Sequence, residues 1–166
     1  MTTYDFSLLR SRNDAEAVCD AVFGQAHDKW TEHGRALLTE GEITVLCVET
    51  FFGETCNGGL WQYLWNESGI LAQYASAALR RVGLDKFGTI ADQTLARCVV
   101  TTEEDEDHPD RIITRYELPG EITSDDEPFA DLEEKFFALY FSDKSEFRRK
   151  MLAYILNNEE QFVYQD

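Results

Sequence analysis

Asn57-Gly58-Gly59 sits between two helix-forming stretches and limits what both can become. Each glycine in a helix interior costs about 1 kcal/mol relative to alanine, and glycine readily takes the positive φ that closes a helix. The helix before it must therefore end there and the chain must restart. The preceding stretch begins at Thr39-Glu40-Gly41-Glu42, a capping-box pattern, and runs through Ile43, Leu46, Cys47, Thr50 and Phe51. A short aromatic helix, Leu60–Asn66, follows the glycines, and Ser68-Gly69 breaks it.

The same punctuated pattern covers most of the chain. Asn13 to Trp30 carries apolar residues at 15, 18, 19, 22, 23, 26 and 30, the spacing of a 3.6-residue repeat. Ile70–Val82 is read as a helix closed by Gly83, and Asp85 as the cap of another running to about Val100. Thr101–Pro128 reads as irregular and holds all three prolines; within it Ile112–Leu118 is either a short strand or a helical turn. Phe129–Phe141 and Ser145 to about Phe162 close the chain as two helices. No internal repeat or linker is visible. The expected fold is all-α, one compact multi-helix domain spanning residues 1–166, with an acidic irregular segment between the fifth and sixth helices.

Charge is distributed unevenly. Residues 103–134 hold fourteen carboxylates against Arg111 and Arg115, a net −12 of the −17 carried by all 166 residues. Such a field repels nucleic acid and anionic membranes and attracts cationic proteins or metal ions. A hydrophobic content of 43% with 13% aromatics excludes a disordered acidic tail, and a chain of this length buries about two-thirds of its unfolded surface. No window approaches the ~18 apolar residues of a membrane span, and Met1–Arg12 lacks the apolar run of a signal peptide, so a soluble cytoplasmic protein is expected. Cys19, Cys47, Cys56 and Cys98 stand singly, without the short spacings of a zinc site, and read as buried reduced thiols.

Glu49 followed by Asn57-Gly58-Gly59-Leu60-Trp61-Gln62-Tyr63-Leu64-Trp65-Asn66-Glu67-Ser68-Gly69 resembles a bacterial family, the DNA mimic protein 19 family, once catalogued as a domain of unknown function. The matched positions are Glu49, Asn57, Gly58, Gly59, Gln62, Tyr63 and Asn66; Leu60 departs by being aliphatic where an aromatic is usual. The closing segment, Leu132-Glu133-Glu134-Lys135-Phe136-Phe137 with Tyr154-Ile155 and Glu160-Gln161-Phe162, is similar to the family's last helix pair. The resemblance covers about residues 36–162. It implies the fold, and for one member an activity: occupying the DNA-binding surface of a transcription factor.

The residues themselves favour an architectural role for the motif. Gln62 and Asn66, four apart, share a helix face and are placed to bond backbone groups left open by the turn. The alternative is a polar pocket of Glu49, Asn57, Gln62 and Asn66 holding a small ligand. No histidine, cysteine or lysine belongs to the string, so neither catalysis nor a cofactor is expected. Trp61 and Trp65 lie on one face with Leu64 and read as core more than interface. His27 and His33 read as surface residues, and Glu103–Asp110 with His108 lacks the ligand spacing of a calcium loop, so no metal site is expected.

Three functions compete. The first is an acidic interaction module, imitating DNA, whose basic partner meets Glu103, Glu104, Asp105, Glu106, Asp107, Asp110, Asp125, Asp126, Glu127, Asp131 and Glu134. Duplex DNA carries one charge per ~1.7 Å of axis, so a domain about 30 Å long would replace roughly 18 charges, the order of the −17 here. The second is an immunity or inhibitor protein covering a basic toxin or nuclease. The third is a small-ligand binder or enzyme built on the Glu49 set. The expected partner is a basic, DNA-binding protein, with no direct contact to nucleic acid or membrane; a homodimer is left open.

Overall fold

Thr39 and Glu42 form the box that their spacing predicts. Thr39 Oγ1 accepts the Glu42 N–H at 3.2 Å, and the Thr39 N–H donates to Glu42 Oε2 at 2.9 Å. In the computed structural model, which describes residues 4–11, 14–104, 112–122 and 124–163, this cap opens α3 (Glu40–Trp65). Every residue from Gly41 to Glu49 is buried, so this half of α3 is enclosed on all sides, as only a central helix is. Glu42 is itself fully buried. Its Oε1 accepts the Tyr4 hydroxyl at 2.8 Å and the Lys29 ammonium at 2.5 Å, so the charge is both paired and hydrogen-bonded.

The other elements wrap this helix. α1 (Phe6–Ser11) and α2 (Ala15–His33) precede it; Asp14 Oδ1 caps α2 by accepting the Glu16 and Ala17 N–H groups at 3.0 and 3.3 Å. After a 3₁₀ turn (Glu67–Leu71) come α4 (Ala72–Arg81) and α5 (Asp85–Leu95), joined through Gly83 at φ +80°. α6 (Ala130–Ser142) and α7 (Glu146–Asn157) close the bundle, and α3 packs against α2, α4, α6 and the C-terminal turn. Among the described residues the fold is all-α apart from one two-stranded sheet.

That sheet corrects two expectations. The helix from Asp85 does not reach Val100 but ends at Leu95, and Asp85 lies in its first turn rather than capping it. β1 (Val99–Glu104) pairs antiparallel with β2 (Ile112–Glu117), in the register Val99↔Glu117 to Glu104↔Ile112. The consecutive β-branched residues Val99-Val100-Thr101-Thr102 and Ile112-Ile113-Thr114 favour the pleated state over the helix that apolar content alone suggested. Residues 101–104 of the segment read as irregular are thus strand, and of the two alternatives for Ile112–Leu118 the short strand is the one formed. The last helix also stops short, at Asn157. Asn158 Nδ2 donates to the Tyr154 carbonyl at 2.8 Å, and a 3₁₀ turn (Glu159–Phe162) follows. Cys19 and Cys47 are buried as expected, whereas Cys98 is half-buried and Cys56 is exposed on the outward side of α3.

Aromatic rings knit α6 to α3. Phe136, fully buried, meets Phe51, Phe52 and Phe87 with centroids 5.7, 5.4 and 5.4 Å away, and Phe52 stacks on Phe147 at 4.4 Å. Replacing Phe136 with alanine empties a site shared by three helices. The expected loss is about 3–5 kcal/mol in urea-unfolding free energy. A loss below ~1 kcal/mol would mean that this aromatic cluster is not the main brace between α6 and α3.

Candidate functional site

The Asn57-Gly58-Gly59 break divides α3 without ending it as a rod. Gly58 (φ −153°, ψ 21°) and Gly59 (φ +81°, ψ −178°) leave helical geometry, and Leu60–Trp65 continues as a second helical segment at a new angle. Its first N–H, on Leu60, donates to Glu133 Oε1 of α6 at 2.7 Å. This charge-assisted bond fills an open helix-start donor. Glycine is required here for its positive φ, and a Cβ would push the same carboxylate away from the Leu60 N–H.

Gln62 and Asn66 do share one face, but their partner is not backbone. Gln62 Nε2 and Asn66 Nδ2 both donate to Glu54 Oε2, each at 2.8 Å. Glu54 stands one helical turn before the glycines, so the three side chains tie the two segments of α3 across the break. Tyr63 is buried against Phe51, ring centroids 5.3 Å apart. Glu54 was missed from the sequence because nothing in the spacing alone separates it from the other glutamates of α3.

Glu49 belongs to a different group. Arg148 of α7 donates through Nη1 to Glu49 Oε1 at 2.7 Å and to Asp20 Oδ1 of α2 at 2.8 Å. Burial pushes the Glu49 carboxyl up to about 7, against the pull of Arg148 and with a push from Asp20 and Glu16. Glu49 and Asn57 line one groove of 1440 Å³ formed by α2, α3, the turn after α3 and the hairpin. Gln62 and Asn66 do not line it. Of the four-residue polar set, the fold brings two to the groove and turns two towards Glu54.

The groove is acidic. Asp20, Glu49, Glu54, Glu67, Glu103, Glu104 and Glu117 line it with Arg115, Arg148 and the exposed His27. Both arginines are already engaged, Arg148 as above and Arg115 with Glu103 across the hairpin. Sequence reading found Glu103 and Glu104. It missed Asp20, Glu54, Glu67 and Glu117 as their neighbours, since these come from four separate stretches of chain.

The remaining predicted acidic residues lie elsewhere. Asp125, Asp126 and Glu127 occupy a turn after the hairpin, and Asp126 lines a shallow cavity with Arg97, Leu118, Glu121, Ile122 and Pro128. Asp131 is held by Arg97 through two bonds, at 2.7 and 2.8 Å; these hydrogen bonds bring its carboxyl down to about 2. Glu134 is exposed on α6. Asp105, Glu106, Asp107 and Asp110 lie outside the described residues, as does His108. Among the described residues no cluster of histidine, cysteine and carboxylate side chains suits a metal ion. His27 and His33 are exposed, as expected. Trp65 is 73% exposed, against the core reading given to it, whereas Trp61 is half-buried and packs against the core.

With this geometry in view, comparison with known proteins is specific on one point. The family of DMP19-like proteins matches residues 36–158. The chain belongs to that family. No curated protein and no solved structure matches it. The matched span covers the break in α3, the hairpin and all of α7, and leaves out α1 and α2, so Asp20 and His27 of the groove stand outside it. No described helix is long and apolar enough to cross a membrane.

Two measurements test these assignments. Gln62→Ala or Asn66→Ala removes one of two donors to Glu54 and should cost about 1–3 kcal/mol in urea unfolding; wild-type stability in both variants would mean the network does not brace the break. The folded chain holds the Glu49 proton up to about pH 7, while the ordinary value is 4.5. The folded state therefore binds more protons between these values, and the Glu49 contribution to stability falls as pH rises through that window. Glu49→Gln should remove this fall, so that its stability gains on wild type between pH 5 and 7 by about 1.4 kcal/mol per pH unit at most. A constant difference between the two proteins across the window would place the Glu49 carboxyl at its ordinary value.

Proposed function

We propose that this protein is an acidic interaction module whose groove receives a basic surface of another protein. The observation that carries this reading is the charge of the groove wall: with Arg148 paired to Asp20 and Glu49 and Arg115 to Glu103, Glu54, Glu67, Glu104 and Glu117 remain without a cation of the wall. Where the partner's basic surface normally holds DNA, the module competes with the duplex, and membership of the DMP19-like family supports this finer form. Opposed fields speed encounter and are screened by salt, so binding of this kind is fast at low ionic strength and weak at high. An immunity protein against a basic toxin would use the same groove; a toxin gene beside this one favours that reading, and a regulator gene favours mimicry.

A small-ligand site is the second reading, and one observation favours it. Glu49, with its carboxyl near 7, and Asn57 line the same groove. Catalysis has less support. The Cys19 thiol, which interacts with Glu49, is buried and pushed up to about 12 by that burial, so it supplies no thiolate near neutral pH.

The test is capture on the immobilised protein from source-cell lysate at low salt, elution at high salt, and identification by mass spectrometry. A basic nucleic-acid-binding protein is expected, competed off by its own DNA site. Glu67→Gln with Glu104→Gln, both exposed in the groove, should slow its association severalfold, while Asp125→Asn with Glu134→Gln should change it little. Binding that ignores both salt and the groove pair would overturn the reading. A stable ternary complex with DNA would exclude mimicry alone.

A further inference from the structure

Trp61 and Trp65 stack on the second segment of α3, with ring centroids 5.8 Å apart and planes 16° from parallel. They open onto a 190 Å³ pocket completed by Leu64, Tyr116, Glu117, Leu118 and Ile122. Single exposed apolar residues are ordinary on protein surfaces. Here an indole at 73% exposure is stacked on a second, beside Ile122 at 42%. The hairpin register sets Val100, 59% exposed, opposite Tyr116.

The surroundings select what could cover this pocket. Glu117 lines both the pocket and the acidic groove, so the two are continuous across the hairpin. Leu118 and Ile122 continue the surface into the cavity that holds Glu121 and Asp126. A second copy of a chain of net −17 would bring acidic rims together, which disfavours self-association through this face. Glu117, whose Oε1 accepts the Thr101 hydroxyl at 3.4 Å, lends the pocket edge a negative charge that an apolar side chain alone would leave without a counter-charge. A planar guanidinium uses both parts: its face stacks on indole, and its edge presents paired donors to a carboxylate.

We propose that the Trp61–Trp65 pocket is an arginine-binding subsite, taking one arginine side chain of the same basic partner that the groove receives. The inference rests on the reading of the chain as a module for basic proteins. It adds a contact of another kind. The groove attracts by net charge, which salt screens, whereas the stacked indoles select arginine over lysine and hold at ionic strengths where the groove has weakened.

Short fluorescein-labelled peptides of equal length and charge, one alternating arginine with glycine and the other lysine with glycine, test it by fluorescence anisotropy at about 0.15 M salt. The wild-type chain should bind the arginine peptide about tenfold more tightly than the lysine peptide. Trp65→Leu, which keeps apolar area but removes the indole, should bring the arginine peptide down to the lysine level, and Trp65→Phe should restore part of the difference. Glu67→Gln with Glu104→Gln should weaken both peptides alike. An arginine preference that survives in Trp65→Leu overturns the subsite and leaves the groove reading standing. Failure of both peptides to bind the wild-type chain overturns the two together. The exposure of Trp65 keeps the fold out of the comparison, and the far-ultraviolet circular dichroism of each variant verifies it.

Discussion

The bond from the Leu60 N–H to the Glu133 carboxylate joins the start of the second segment of α3 to α6, across 73 positions of sequence. A helix restarted in mid-chain exposes open N–H groups, and a buried start without an acceptor would cost about 1–3 kcal/mol. Glu133 supplies that acceptor only because Gly59 has no Cβ in the way and can hold φ +81°. The angle of the second segment follows from this contact. So do the placing of Trp61 and Trp65 beside the hairpin and the turning of Gln62 and Asn66 towards Glu54.

The fold spends its scarce cations on itself. Arg148 joins α7 to α2 and α3 through Asp20 and Glu49, Arg97 ties Asp131 to the end of α5, and Lys29 meets the buried Glu42. The exposed Arg97–Asp131 pair adds little stability, whereas Glu42 and Glu49 are buried and would be left as unpaired charges without their partners. The further consequence of these pairs is for the surface field. With Arg115 and Arg148 occupied, the groove keeps the sign set by its surplus carboxylates. Asp131 belongs with the internal pairs, as does Glu103, and each has less to offer a partner than the exposed Glu67 or Glu104.

Much of the helical frame was legible in the sequence because its signals are local. The Thr39/Glu42 box, the glycine at Gly83 and the break at Gly58-Gly59 each depend on residues within a few positions of one another. The hairpin was not legible in the same way. Val99–Thr102 is short, and an apolar β-branched run of that length fits a helix end as well as a strand until its partner is known. Trp65 was misplaced for a related reason: a helix face is apolar whether it meets the core or a pocket open to solvent.

The sequence by itself determined the helical class, the central helix with its cap and its break, and the surplus of negative charge. Only the tertiary structure decided which carboxylates share a groove. Asp20, Glu49, Glu54, Glu67, Glu103 and Glu117 come from α2, α3, the turn after it and both strands. Neighbours so far apart along the chain leave no periodic trace in it, because periodicity records the geometry of one element and not the packing of several.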